Sequence, residues 1–483
     1  MNETAQFLFS FGIGDYVIIA LYFAMIVFVG FKYSKTSGDS ADGKEDFLLA
    51  GRKLTLPMFV MTLVATWYGN ILGVGEFVFG DGLVGWLCFS FTYYIAAFLF
   101  AFFIAGKIRK MNISTIPEQI EKYYGKTASL FASLIVLVIT IPAVYVLSLG
   151  EIVRMAFGFD LSISIIIASV ISFTYIIKGG FKADVVTNAV QFVLMYLGFF
   201  VLLFFVIKTF GSPTEMIAKL PPAHLKPTGN YGIQFIIVWF IIAFQTFVDP
   251  GFHQRCSAAV NPSTARKGIF ISILFWIIFD FMTLTTALYA RAYYPELASG
   301  ILAYPVMSNS ILPEFFKGFF IVSILATVMS TLDSYAFISG ATIGNDIIMK
   351  LFPTKRDAKF WTKIGIVITG VFSILLAIAL PSAVQLIYKT ASIAVPGLLF
   401  PLTLTYFKKY TLKRRDSIII MVISSSTSAL WTIFNSMQIH LDFIIKDIFI
   451  NIEPMVSGIF ISLILGLLLT KRNTEDVHNF ESN

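Results

Sequence analysis

Thr327-Val328-Met329-Ser330-Thr331-Leu332-Asp333-Ser334 sets a carboxylate and four hydroxyls inside a long apolar run. On a helix, Thr327, Ser330, Thr331 and Ser334 follow one another at spacings of three, one and three, and Asp333 lies three after Ser330. The five side chains therefore share one broad face, which suits a small hard cation. Serine and threonine alone would be ordinary, because in lipid their hydroxyls bond back along the helix or across to a neighbour. Asp333 is the unusual member. An ionisable group near mid-helix costs about 2.5–3.5 kcal/mol on insertion scales, so it normally faces a partner, a cavity or an ion.

Outward from this stretch the chain is 57% hydrophobic and only 13% charged, with 51 phenylalanines and a mean hydropathy of +0.83. That composition excludes a soluble domain and fits a multi-span membrane protein. Cys88 and Cys256 both fall in or beside apolar segments and the four histidines are scattered, so neither a disulfide framework nor a metal cluster is expected. The N-terminus lacks a basic start and its first apolar run is too long for a cleavable signal, so it reads as a retained helix. No Ser/His/Asp order or phosphate-cradling loop is present, and an enzyme is not expected.

At about 20 apolar residues per crossing, the sequence gives about thirteen spans. They lie near 14–33, 55–78, 82–106, 127–153, 160–178, 183–208, 232–252, 266–290, 301–346, 360–380, 384–407, 417–438 and 447–470. The longest reads as one helix with a short one before it. Most of the 35 Lys and Arg residues fall in one alternate set of loops. The other set holds Arg154, Lys208, Lys219, Lys226, Arg291, Lys317 and Lys446. Basic loops stay cytoplasmic, so the N-terminus is expected outside and the C-terminus inside, in a bacterial inner membrane. The net charge of +7 follows from this asymmetry and calls for no nucleic acid. The connectors at about 34–54 and 209–231 read as polar, and residues 473–483 as a disordered cytoplasmic tail. A single membrane domain, 1–472, is expected, with no protein partner required.

Two spans are interrupted midway. One reads Ala65-Thr66-Trp67-Tyr68-Gly69-Asn70, followed by Gly73 and Gly75; the other ends Phe247-Val248-Asp249-Pro250-Gly251-Phe252-His253. Glycine and proline there break the helical ladder and free carbonyls. The second interrupted span comes five after the first and runs oppositely. Such matched pairs point to a secondary transporter's binding site near the midplane.

These residues resemble the sodium/solute symporter family. Three stretches carry the likeness: Gly179-Gly180-Phe181-Lys182-Ala183-Asp184-Val185-Val186-Thr187-Asn188 with Gln191; Met329-Ser330-Thr331 with Asp346; and Ala65-Thr66-Trp67-Tyr68-Gly69 with Gly73. The resemblance implies an all-α LeuT-type membrane fold of two inverted five-helix repeats with broken first helices. They would be 55–208 and 232–407, preceded by an extra helix at 14–33 and followed by two at 417–470. It implies Na+ as the coupling ion, at a first site of the Ala65, Tyr68 and Thr327 carbonyls with the Ser330 and Thr331 hydroxyls. It also implies a second site of Asn188, Ser330, Asp333 and Ser334. There the chain departs from the family pattern. Asn188 stands where an aspartate is usual and Asp333 where a serine is, as if the carboxylate had crossed the cavity. The competing readings make Asp333 a proton-coupled group, or a structural partner of Asn188 or of a buried hydroxyl.

Trp67, Gly69, Asn70, Phe247, Asp249, His253, Tyr388 and Lys389 are the candidate solute contacts. Ile71, Leu72 and Tyr388 replace polar residues that sugar carriers of the family have, which disfavours a sugar. Lys389 leans toward an amino acid or organic carboxylate, or else snorkels outward or pairs with Asp280. Asp249 is read as steadying the Pro-Gly turn, Glu76 as vestibular, and Asp346 as a partner of Arg255 or a similar base. The expected function is sodium-driven symport of a small polar solute across the bilayer by alternating access. A proton-coupled transporter of the same fold and a transporter-like sensor are the alternatives.

Overall fold

The computed structural model describes residues 7–34, 43–380, 383–407, 409–436 and 453–472. Among these, eight helices are long and apolar enough to cross a bilayer. A ninth crossing is a pair, Ile233–Val248 with Pro250–Ala258, bent by 41°. Shorter apolar helices include Leu56–Ala65, Thr390–Leu404 and Pro454–Leu469. Phe98, Phe200, Phe204, Phe281 and Leu467 are all more than half exposed or close to it, as side chains facing hydrocarbon should be.

Helix Leu161–Phe210 runs for 50 residues, roughly 75 Å at the usual rise, far more than one bilayer core. Gly180, at φ +64° and ψ −176°, breaks it. A side chain at that φ is strained, so glycine marks the turn between the two spans expected at 160–178 and 183–208. Ile116–Thr140 and Ala143–Phe157 likewise form one kinked run at Ile141-Pro142. The span expected at 301–346 resolves into the short Ala303–Ile311 and the long Phe316–Ala341.

Phe316–Ala341 is the buried axis of the molecule: Thr327, Ser330, Thr331, Asp333 and Ser334 are all at most 2% exposed. A helix covered all round is packed on every side by other helices rather than by lipid. It passes the break between Leu56–Ala65 and Ile71–Asp81. A methyl added at Gly69 would stand 2.5 Å from the Thr331 Cβ, so only glycine permits this approach.

The segment expected as a polar connector at 34–54 differs in its second half. Gly43–Leu49 is helical and buries Phe47, Leu48 and Leu49. It clasps Pro250–Ala258: Leu54 N–H donates to the Ala258 carbonyl (3.0 Å) and Val260 N–H to the Leu54 carbonyl (3.1 Å). Three apolar side chains in sequence have a packed partner here, and that burial fixes the helix. The other connector also holds a short helix, Pro213–Lys219, with a Ser212/Glu215 capping box.

Candidate functional site

Helix Leu56–Ala65 ends where the backbone leaves helical geometry at Thr66 to Asn70. Ser330 Oγ donates to the Ala65 carbonyl at 2.8 Å and also lies 2.8 Å from the Thr327 carbonyl. Thr331 Oγ1 donates to the Thr66 carbonyl at 3.1 Å. Three carbonyl and two hydroxyl oxygens thus line one buried contact between the break and Phe316–Ala341. Neutral oxygens, some of them on released backbone, are what a hard monovalent cation needs. Of the residues expected there, Ala65, Thr327, Ser330 and Thr331 are brought together, and the Thr66 carbonyl joins them. Tyr68 lies in the same break, with its hydroxyl turned to Asp280 Oδ1 (2.9 Å) and the Trp276 carbonyl (3.2 Å). Tyr94 also donates to Asp280.

The four residues read as a second cation site divide into three environments. Ser330 belongs to the cluster just described. Asn188 Nδ2 donates to Ser334 Oγ (3.2 Å) and to Thr62 Oγ1 (2.9 Å). Asp333 points elsewhere, with the Tyr175 hydroxyl 2.6 Å from each of its oxygens. Neighbours on a helix point about 100° apart, so Asp333 and Ser334 face different partners. The carboxylate that does meet Ser334 is Asp184: Ser334 Oγ lies 2.8 and 2.9 Å from its two oxygens. Asp184 was legible only as one letter inside the Gly-Gly motif.

Of the bases expected beside Asp346, Lys350 takes the place and Arg255 does not. Arg255 pairs elsewhere. It lies 3.7 Å from Asp184, whereas Asp346 accepts from Thr115 (3.0 Å) and Asn345 (2.8 Å) and lies near Lys350. Asp346 sits beyond Ala341, about three turns past Ser334, out of reach of the guanidinium.

A cavity of about 740 Å3 opens beside Ile71–Asp81, within the size of pockets that bury small organic ligands. Asn70, Glu76, Tyr93, Glu151 and Gln245 are among its walls. Asn70 Oδ1 is buried without a hydrogen-bond partner among the described residues. Gln245 donates to Tyr93, and Glu151 pairs with Arg154 at 2.5 Å. Trp67 lies in a packed layer beside it, its ring centroid 5.3 Å from Tyr93 and 5.1 Å from Trp276. Gly69 is sealed against Thr331, and Phe247 is buried edge-on to Phe100. His253 is held between the Phe247 carbonyl (2.9 Å) and the Tyr406 hydroxyl (3.1 Å), and lines a much smaller cavity of about 30 Å3. Asp249 caps Pro250–Ala258 by accepting from Phe252 N–H (2.9 Å), and also accepts from Tyr335 (2.6 Å). The side chains of Tyr388 and Lys389 lie outside the described residues.

The family model for the sodium:solute symporter family matches residues 47–413. The sodium/pantothenate symporter of Escherichia coli (strain K12) is 24% identical over 479 residues, covering 94% of this chain and 95% of its own. High-affinity choline transporter 1 of Drosophila melanogaster is 22% identical over 426 residues, covering 82% and 68%. Among solved structures, a Na+-coupled sialic acid symporter in a substrate-bound outward-open state superimposes with a TM-score of 0.77. It is 17% identical and covers 96% of this chain and 100% of its own. Mhp1, a nucleobase-cation-symport-1 family transporter in a closed conformation with bromovinylhydantoin bound, gives 0.58 at 13% identity, with 87% and 93% covered. These likenesses show the LeuT-type fold. The chain belongs to the sodium:solute symporter family: it is a multi-pass membrane transporter rather than an enzyme, and sodium is its coupling ion.

Proposed function

We propose that the chain imports a small zwitterionic or polar organic solute, an amino acid before a sugar, together with sodium held at the junction of Leu56–Ala65 and Phe316–Ala341. The observation that carries this reading is the meeting of the Ala65, Thr66 and Thr327 carbonyls with the Ser330 and Thr331 hydroxyls. Sodium bound there stiffens the break at residues 66–70, and Asn70 at the end of that break reaches the cavity wall. Ion occupancy and solute affinity are thereby linked, and the linkage is reciprocal. The repeats 55–208 and 232–407 then rock to expose the site to the other side.

The walls of the cavity support the choice of solute. Glu76, Asp81, Glu453 and the Arg154-paired Glu151 line it, and no Lys, Arg or His does among the described residues. An ammonium group is attracted to such a vestibule and a bare carboxylate is repelled. Leu72 in the wall offers a sugar no hydrogen bond.

With the N-terminus outside, residues 71–81 face outward. The wide cavity is then the external vestibule, and the clasp between residues 43–54 and Pro250–Ala258 closes the inner side. One charge crossing 100 mV gains about 2.3 kcal/mol, enough for close to fiftyfold accumulation. The test is uptake into proteoliposomes of labelled amino acids, carboxylates, sugars and quaternary amines, with and without an inward sodium gradient. Sodium-dependent accumulation of an amino acid is expected. Uptake driven equally by a pH gradient without sodium would contradict the coupling, and sodium-driven uptake of sugars alone would contradict the solute class.

A further inference from the structure

Four helices send side chains to one buried point that the sodium cluster above does not use. Thr62 comes from Leu56–Ala65, Asp184 and Asn188 from Leu161–Phe210, Arg255 from Pro250–Ala258, and Ser334 from Phe316–Ala341. Thr62, Asn188, Arg255 and Ser334 are fully buried and Asp184 is 7% exposed. Arg255 Nη2 donates to Ser334 Oγ at 2.8 Å and to Thr62 Oγ1 at 3.2 Å, and lies 3.7 Å from Asp184. Its Nη1 donates to the Gly251 carbonyl at 3.2 Å.

We propose that the Arg255 guanidinium is a resident cation, occupying beside Asp184 and Ser334 the position a second sodium ion would otherwise take, so that this transporter binds one sodium ion per cycle. The inference rests on the sodium-coupled reading above and sets its stoichiometry.

A hydroxyl has one hydrogen and two lone pairs. Ser334 uses all three: it donates to Asp184 and accepts from Arg255 and Asn188. Thr62 Oγ1 also accepts twice, from Asn188 and Arg255. The hydroxyl oxygens of Ser334 and Thr62 are therefore spent on Arg255 and Asn188, and Asn188 Oδ1 is left without a hydrogen-bond partner among the described residues. Charge gives the same answer. Arg255 lies beside the buried Asp184, and a second cation within a few ångströms of the guanidinium, away from water, is repelled by it. Asp333, next to Ser334 on Phe316–Ala341, lines a small cavity with Asp184 but is directed to the Tyr175 hydroxyl. Arginine suits the role because it stays protonated and its planar fork reaches Ser334, Thr62 and the Gly251 carbonyl together.

The experiment is a count of sodium ions bound at saturation by purified, full-length protein, using radiolabelled sodium and no solute. Wild type is expected to bind one ion per chain. Arg255→Met, which leaves Asp184 unbalanced, is expected to bind two, and the double variant Arg255→Met/Asp184→Asn one. Arg255→Lys keeps the charge and is expected to bind one, which decides the matter if the methionine variant does not fold. Two ions in wild type, two in Arg255→Lys, or one in a folded Arg255→Met would each overturn the proposal while leaving sodium coupling intact. A wild-type count of zero would overturn the sodium-coupled reading itself.

Discussion

Gly69 leaves no space for even a methyl group, since an added Cβ would meet Thr331 at 2.5 Å, whereas one at Gly80 would meet nothing within 4 Å. Overpacking of this kind costs about 1–3 kcal/mol. Pushed into the Thr331 ligand, it is expected to raise the sodium concentration for half-maximal uptake about tenfold or more in Gly69→Ala. Gly80→Ala is expected to match wild type, and equal sodium dependence in the two variants would contradict the close approach. Asp333→Asn separates two readings of that residue. With the Tyr175 hydroxyl on both of its oxygens, Asp333 is a structural partner in this account, so the amide variant should lose thermal stability yet keep its sodium affinity within about twofold. A sodium affinity tenfold weaker would restore the cation-ligand role. Ser330 and Thr331 were readable because hydroxyls at helical spacing in an apolar run have few other uses. Asp184 and Arg255 were not. Their pairing joins two distant helices, and nothing local to either position announces it.

The broken spans were legible as elements because glycine and proline interrupt apolar runs for a backbone reason that needs no tertiary partner. The clasp at residues 43–54 was hidden because its helix is fixed by burial of Phe47, Leu48 and Leu49, and that depends on what lies across from it. Arg52 ties this segment down: it pairs with Glu45 and donates to the Ser257 carbonyl at 2.9 Å. Cys256 lies beneath, fully buried. Arg52→Ala is therefore expected to speed modification of Cys256 by a thiol reagent several-fold, as local opening becomes cheaper. An unchanged rate would show that the clasp does not close this side. Within Pro250–Ala258 the Asp249 cap is worth about 1 kcal/mol, so Asp249→Ala is expected to lower the melting temperature measurably.

Over the whole molecule, the apolar runs gave the fold class, because lipid forces every crossing to satisfy its own backbone, and the loop charges set an expected sidedness, because basic loops stay inside. The shape of the solute cavity was far less legible. Asn70 was picked out from the first break and Gln245 lies just ahead of the second, but Tyr93 and Glu151 come from spans that read as plain apolar helices, and the four meet only in the fold. Sidedness has its own check. In a background without Cys88 and Cys256, a cysteine at Asp81 is expected to react with an impermeant reagent on intact cells, and one at Lys471 only after permeabilisation; the reverse pattern would invert the vestibule. The claim on which the mechanism depends is that sodium sits where Leu56–Ala65 ends against Phe316–Ala341. Equilibrium sodium binding to the purified protein, wild type against Ser330→Ala/Thr331→Ala, tests it most directly. Two lost ligands, at about 1–1.5 kcal/mol each, predict a Kd weaker by about thirtyfold or more in a variant that stays folded, and an unchanged Kd would contradict the account.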